Sequence, residues 1–255
     1  MKFPTVLLLF SALFACKPES KSSSGPVVLN EIETPVNVEI FAEQFKWSAR
    51  YSGEDNELGK FDYKLMSASN PLGIVTERAI ESRIRELERG LNRMDSMSLN
   101  MEISHEFEKK RKEKILRLLE LMGNKHDRAM DKVAMNDFIV TDTLVLCVDT
   151  EYDFSFRSKD VIHAAYFPHF RAQMNIVPGM TTRFKLTPSE TTEERRLKLN
   201  DVSFEFQLIC NKVCGAGHTL MKMIVRVVEK QEYLDWLKSN RNDTIENLLS
   251  IQVKE

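Results

Sequence analysis

The chain has 255 residues, 42% of them hydrophobic and 29% charged, with a formal net charge of −2. That composition belongs to a globular protein with a real core, long enough for one large domain or two small ones. The near balance of charge excludes the strong basic excess usual in nucleic-acid binders, so no nucleic-acid partner is expected.

The N-terminus reads MKFPTVLLLFSALFAC: one lysine, then an almost unbroken apolar run of 13 residues from Phe3 to Ala15. A bilayer span needs about 20 residues, so residues 1–15 read as the core of an export signal. The run ends Leu13-Phe14-Ala15-Cys16 and resembles the lipobox of bacterial lipoproteins, which implies lipidation at Cys16. A plain secretory signal with an incidental cysteine is the alternative. The polar stretch KPESKSSSGP, within residues 16–35, has the composition of a flexible tether. No later stretch approaches spanning length. The working part is therefore expected on the extracytoplasmic face of a membrane in a bacterial cell envelope, held by a lipid anchor.

VNVEIFAEQFKWSARY, residues 36–51, mixes β-branched and aromatic residues with partial alternation and predicts one or two strands. SGEDNELG is turn-rich, FDYKLM is a short strand candidate, and SASNPLG closes the section. Residues 76–135 differ in kind. Ile80, Ile84, Leu87, Leu91 and Met94 recur at helical spacing,. A second helix is expected from about Ile103 to Met122, with Phe107, Ile115, Leu118 and Met122 on its apolar side, ended by Gly123-Asn124. Together they predict an inserted antiparallel hairpin, either a solvated arm or a docking arm. His105 and His126 read as surface histidines.

Strand signals return from residue 138. DFIVTDTLVLCVDT, EYDFSFRSKDVIHAAYF, TTRFKLTP, VSFEFQLIC and MKMIVRVVE are short β candidates separated by turn residues. Phe204, Phe206 and Leu208 alternate with Ser203, Glu205 and Gln207. EYLDWLKS, residues 232–239, and TIENLLS, residues 244–250, are short helical or loose ends, with 239–255 as a C-terminal tail. The class expected is mainly β, a sandwich or barrel interrupted by the helical hairpin. Cys147, inside LVLCV, reads as a buried small hydrophobe.

The chemistry concentrates in CNKVCGAGHTLM, residues 210–221. Thiolates favour copper, zinc or iron–sulfur, and a thioether favours soft ions, copper(I) above all. Structural zinc prefers four Cys/His ligands, and iron–sulfur clusters usually take four cysteines. A Cys210–Cys214 disulfide with a free Cys147 is the non-metal alternative. The loop lies between two strands, and Gly215 and Gly217 permit tight turns, so Cys210, Cys214, His218 and Met221 can aim at one point. Two thiolates could bridge two copper ions, each needing further donors. His163, in KDVIHAA, is the candidate second histidine, at the point where a strand opens into a loop. His169, between Phe and Arg neighbours, reads as structural or peripheral.

CNKVCGAGHTLM resembles the dinuclear copper loop of cytochrome c oxidase subunit II, C-x-E-x-C-G-x-x-H-x-x-M. DVIHAAYFPHFRAQMNIVPGMTTRF resembles the segment of that family that brings the first copper histidine and a Pro-Gly turn. AEQFKWSARY resembles its aromatic entry segment. The resemblance covers 36–75 and 138–238 and implies a cupredoxin-like Greek-key β-barrel or sandwich, with 76–135 as the inserted hairpin. It implies His163, Cys210, Cys214, His218 and Met221 as side-chain ligands and the Lys212 carbonyl as a backbone ligand. The cofactor implied is copper, two ions per chain, in a mixed-valence centre. Phe45 takes the electron-entry position and Trp47 the inner one. The partners implied are cytochrome c, or a similar soluble donor, and the haem–copper subunit I. Oxidation of cytochrome c with reduction of oxygen would belong to the complex.

Three departures bear on function. Lys212 replaces the usual acidic residue and Asn175 stands where many members have aspartate, so this chain is expected not to hold the family's secondary magnesium or manganese ion. Asp160 matches a docking acid, but Lys159 replaces an adjacent one. In place of the two membrane helices typical of the family, a short signal and a lipid anchor are expected, so that the chain either docks on an oxidase from outside or works without one. Quinol-oxidising relatives lack the copper ligands, which argues against a quinol donor. The alternatives are an independent copper-binding electron-transfer lipoprotein and an adaptor using its helical hairpin.

Overall fold

The computed structural model describes residues 32, 34–53, 55–96 and 103–240. The export segment, Cys16, most of the tether and TIENLLS lie outside the described residues. Among the described residues no helix is long and apolar enough to cross a membrane.

Ten strands form two five-stranded sheets. The first holds β1 (Val36–Glu43), β2 (Lys46–Tyr51), β3 (Phe138–Val140), β5 (Tyr152–Ser158) and β8 (Thr182–Leu186), in the order β3-β2-β1-β5-β8. The second holds β4 (Thr143–Cys147), β6 (His163–Phe167), β7 (Ala172–Ile176), β9 (Phe206–Cys210) and β10 (Lys222–Val228), in the order β4-β10-β9-β6-β7. β1 runs parallel to β5 and β10 parallel to β4, while the other pairs are antiparallel. This is a mainly β sandwich with an inserted helical hairpin.

The alternation of β1 explains its place. Val38, Ile40 and Ala42 face the core between the sheets, with Phe154, Phe156 and Leu208. Phe41, on the opposite face, packs in a smaller cluster with Leu72, Ile74 and Ala134. Both faces are covered, so even the acidic positions Glu39 and Glu43 are buried. The Glu39 carboxylate meets Arg50 Nε at 3.0 Å and pairs with Arg157. Burial opposes its ionisation, but the two guanidiniums hold it below the usual carboxylate range,. Arg50 also reaches Asp137 Oδ2 at 3.1 Å, and Arg157 lies over the Phe61 ring.

The hairpin between β2 and β3 is α1 (Glu77–Ser96) and α2 (Ile103–Lys125). Ile80 and Leu87 from α1 bury against Leu119 of α2 and Leu65, as the sequence spacing requires,. α2 runs past Gly123-Asn124, because a glycine in a helix costs only about 1 kcal/mol and does not by itself end it. α3 (Asp131–Met135) returns the chain to the sheet.

FDYKLM does not form a strand. Phe61 makes one isolated bridge to Ile74, and Tyr63–Leu65 is a 3-10 turn capped by the Asp62 carboxylate, which accepts from the Lys64 N–H at 2.9 Å. The Asx cap competes with ladder pairing. α4 (Thr192–Leu199) was not expected from its charge-rich sequence. Its start is a capping box, with Thr191 Oγ1 accepting from Glu194 N and the Glu194 carboxylate accepting from Thr191 N,. α5 (Lys230–Asn240) closes the sandwich through Tyr233 and Trp236, the latter against Tyr51 and Phe138.

Candidate metal centre

β9 ends at Cys210 and β10 begins at Lys222, and the intervening loop is pinned at its neck. Cys210 N–H donates to the Met221 carbonyl at 3.1 Å, and Asn211 N–H to the Ala164 carbonyl at 3.0 Å. β6 pairs antiparallel with β9, Ala165 opposite Cys210. His163 lies two residues before Ala165, on the same face by the strand period, and so comes level with the loop. It opens β6 rather than following β5 into a loop as expected, since the bend at 159–162 sets it at the head of the next strand.

The predicted donor atoms meet. Cys210 Sγ is 3.8 Å from His163 Nδ1, 3.9 Å from Cys214 Sγ and 3.1 Å from the Lys212 carbonyl oxygen. Cys214 Sγ is 3.6 Å from His218 Nδ1 and 3.8 Å from Met221 Sδ. His163, Cys210, Cys214 and Met221 are buried, and His218 is half-buried. Both thiols are free, and their separation is far beyond a disulfide length of about 2.05 Å,. His163, Cys210 and Cys214 have ligand atoms within 4.8 Å of one another, a group able to hold a metal ion. Burial, with the adjacent Cys210 sulfur, pushes the Cys214 thiol up to about 11. Two adjacent buried thiolates therefore need a cation beside them.

The surroundings fix these donors. Asp160 Oδ1 is 2.9 Å from His163 Nε2, which turns Nδ1 toward the sulfurs,. Asp160 Oδ2 accepts from Gln44 N–H at 2.7 Å. Partial burial opposes its ionisation, but these bonds keep the carboxyl below its usual range. Asp160 thus orients His163 while remaining at the surface. Gln44 Nε2 donates to the Cys214 carbonyl. Trp47 is buried, sets its ring edge-on to His163 and donates Nε1–H to the Met221 carbonyl at 3.3 Å. Phe45 is 37% exposed and lies across the loop, where a Cβ on Gly217 would stand 2.5 Å from its ring.

Gln44 and the ligand-orienting duty of Asp160 were missed, although Asp160-x-x-His163 is a spacing that could have been weighed. His169 packs edge-on against Phe204 and Phe206, as a structural residue does. His126 is not a surface residue: its side chain is nearly buried and pairs with Asp131 at the hairpin base. The His105 side chain lies outside the described residues. Cys147 is buried, as expected.

No family model matches the chain. Among curated proteins, the alternative cytochrome c oxidase subunit 2 of Bradyrhizobium diazoefficiens is 27% identical over 204 residues, covering 80% of this chain and 50% of that protein. The haem–copper oxidase subunit 2 of Aeropyrum pernix is 32% identical over 91 residues, covering 35% and 34%. The chain thus spans about half, or less, of the length of these relatives. Among solved structures, the periplasmic domain of cytochrome oxidase subunit II of Bradyrhizobium japonicum aligns with 82% of this chain and 94% of its own, at a TM-score of 0.40 and 16% identity. By sequence, the chain is a homologue of proteins named cytochrome c oxidase subunit 2.

Proposed function

We propose that this chain is the electron-entry subunit of a cytochrome c oxidase, taking electrons from cytochrome c or a similar soluble donor and passing them to the haem–copper subunit I. The observation that carries the reading is the convergence of two thiols, two imidazoles, a thioether and a carbonyl from two separated segments. This donor set fits copper better than zinc, because a thioether is a poor zinc ligand and a good one for copper(I). His163, Cys210, Cys214, His218, Met221 and the Lys212 carbonyl would hold two copper ions. Copper supplies one-electron redox chemistry when bound. The chain's part is geometric. Asp160 orients His163, Trp47 and Gln44 tie down the loop carbonyls, and burial excludes water, so the ligands move little as charge changes,. Phe45 is the exposed contact and Trp47 the inner aromatic.

Residues 36–75 and 138–238 form the copper-bearing unit in this reading, with 76–135 an inserted hairpin and 239–255 a tail. Residues 1–15 direct export and Cys16 carries a lipid that holds the chain at the extracytoplasmic membrane face. Lys212 and Asn175 leave this chain without a secondary magnesium or manganese site.

Reconstitution of the protein with copper tests the centre. The expected result is two coppers per chain with one unpaired electron shared between them, lost in His163→Ala. One copper per chain, or binding indifferent to that substitution, overturns it. Co-purification with a haem–copper subunit I tests the assembly.

A further inference from the structure

The end of the sandwich that carries the metal loop exposes Val213 and Leu220 from the loop, Ile162 from the bend before β6, and Phe45. Val213 and Leu220 are 83% and 76% exposed, which is far more than the fold needs. The Phe45 ring lies against the backbone of Gly215 and Gly217, so these apolar groups share one surface. Their rim is cationic. Lys46 comes from β2, Lys159 from the bend after β5, Lys212 from the loop and Lys222 from the start of β10.

The acids at this end do not cancel them. Glu43 is mostly covered, and both Lys46 and Lys159 reach its carboxylate at 2.6 Å, so one negative charge faces two positive ones. Asp160 keeps its negative charge although its oxygens face His163 and accept from the Gln44 and Val161 amides, so the four lysines outnumber these two carboxylates without being cancelled by them. Lys212 and Lys222 stand exposed. The chain as a whole is slightly acidic, so the positive face is a local feature, and local patches govern steering.

Taking the proposed electron-entry role as given, we infer that this face docks an electron-carrier protein whose own contact surface is acidic around an apolar centre. An apolar centre with a charged rim is the anatomy of a transient protein interface. Complementary charge raises the encounter rate, and like charge suppresses the wrong partner. A donor with a lysine-rich face would meet this rim as a like charge.

The test uses the full chain and three readouts. In the first, amide resonances are recorded with hexacyanochromate(III) or hexaamminechromium(III), two paramagnetic ions of opposite charge. Preferential broadening of the Phe45, Val213 and Leu220 amides by the anion supports the inference, and equal or reversed broadening overturns it. In the second, the copper-loaded protein is reduced by cytochrome c before and after maleylation of its lysines. The maleylated, acidic form is expected to react at least tenfold faster at about 10 mM ionic strength, where the Debye length is about 30 Å, and to slow as salt rises. A native, basic form that reacts faster and slows with salt overturns the docking claim. In the third, K46Q/K159Q/K222Q is expected to flatten that salt dependence, with a lowered urea midpoint because Glu43 loses both cations, while K222Q alone flattens it in part with the midpoint unchanged; an unaltered salt slope in both variants counts against the inference. If the protein forms no redox-active copper centre, the electron-entry reading fails in the kinetic readouts, while the chromium broadening still decides the sign of the face.

Discussion

Gly217→Ala isolates the contact between the metal loop and its aromatic cover. Gly217 has φ −93° and ψ 12°, a conformation open to any L-residue, so the substitution brings no backbone strain,. What it brings is a Cβ at 2.5 Å from Phe45 Cδ2 and 2.6 Å from Cγ. Ordinary contact begins near 3.4 Å, so the ring must retreat by about 0.9 Å,. Rotation about χ2 cannot relieve the Cγ contact, because Cγ lies on that axis. The whole side chain or its strand must move, and overpacking of this kind costs about 1–3 kcal/mol. With a urea slope of about 2 kcal/mol/M, the midpoint should fall by about 0.5–1.5 M.

A double-mutant cycle assigns that loss to the ring. In a Phe45→Ala background the new methyl meets no ring, and Gly→Ala at a compatible position stabilises by about 0.4–1 kcal/mol through the unfolded chain. Gly217→Ala is therefore expected to change sign between the two backgrounds, giving a pairwise term of at least about 1 kcal/mol. Urea titrations followed by the fluorescence of Trp47 and Trp236, with a chelator present so that metal linkage does not enter, measure all four corners. An equal cost of Gly217→Ala with and without the Phe45 ring refutes the packing argument.

Asp160→Ala removes the acceptor that orients His163 and should weaken metal affinity about 10- to 100-fold by competition titration, with the other donors intact,. Met221→Leu should keep the metal and shift its potential and spectrum; complete loss of binding would give the thioether a larger part than its softness warrants. Arg50→Met leaves Glu39 with Arg157 alone and takes the guanidinium from beside the buried Asp137, and should cost about 3–5 kcal/mol, whereas breaking the fully exposed pair Lys110–Glu106 should leave the urea midpoint almost unmoved,. Burial raises Asp137 from 3.8 to about 7 despite the nearby Arg50 charge. The folded state then binds the Asp137 proton more tightly than the unfolded state, so this group's contribution to stability should decline as pH rises from about 4 to about 7 and flatten above that. Asp137→Asn should remove that part of the slope in urea midpoints, and an unchanged slope would refute the assignment.

The parts of the fold legible in the sequence are those whose signal is local. The spacing of Ile80, Ile84 and Leu87 encodes a helix face because neighbours on a helix are three and four residues apart, whereas the α2 face was read only in part, since Ile115 and Met122 pack inward but Leu119 is the buried residue and Phe107 and Leu118 stand exposed,. Phe206, Leu208 and Cys210 alternate inward because strand period is two,. α4 escaped because its sequence, TEERRLKL, lacks an apolar stripe, and what starts it is a capping box between Thr191, just before the helix, and Glu194 in its first turn. The Glu39–Arg50–Arg157–Asp137 network escaped for a different reason. Glu39 and Arg157 lie 118 residues apart, and only the parallel pairing of β1 with β5 makes them neighbours, Glu39 level with Ser155. A charge pattern along the chain cannot state which strand will lie alongside.

The candidate site lies between these cases. Four of its side chains, from Cys210 to Met221, fall in one short loop, where residue types and spacing state the chemistry without any knowledge of the fold. His163 is 47 residues away, and its membership depends on the register that sets Ala165 opposite Cys210. Asp160 depends on the same register at one remove, since it acts through His163, and Gln44 on a third segment reaching both Asp160 and the Cys214 carbonyl. Legibility therefore falls with each layer outward from the sulfurs. A slip of β6 by one residue against β9 would turn His163 away from the thiols and carry Asp160 with it, leaving the loop motif intact in sequence and without its distant histidine. The strand pairing is thus as much a part of the centre as its ligands are.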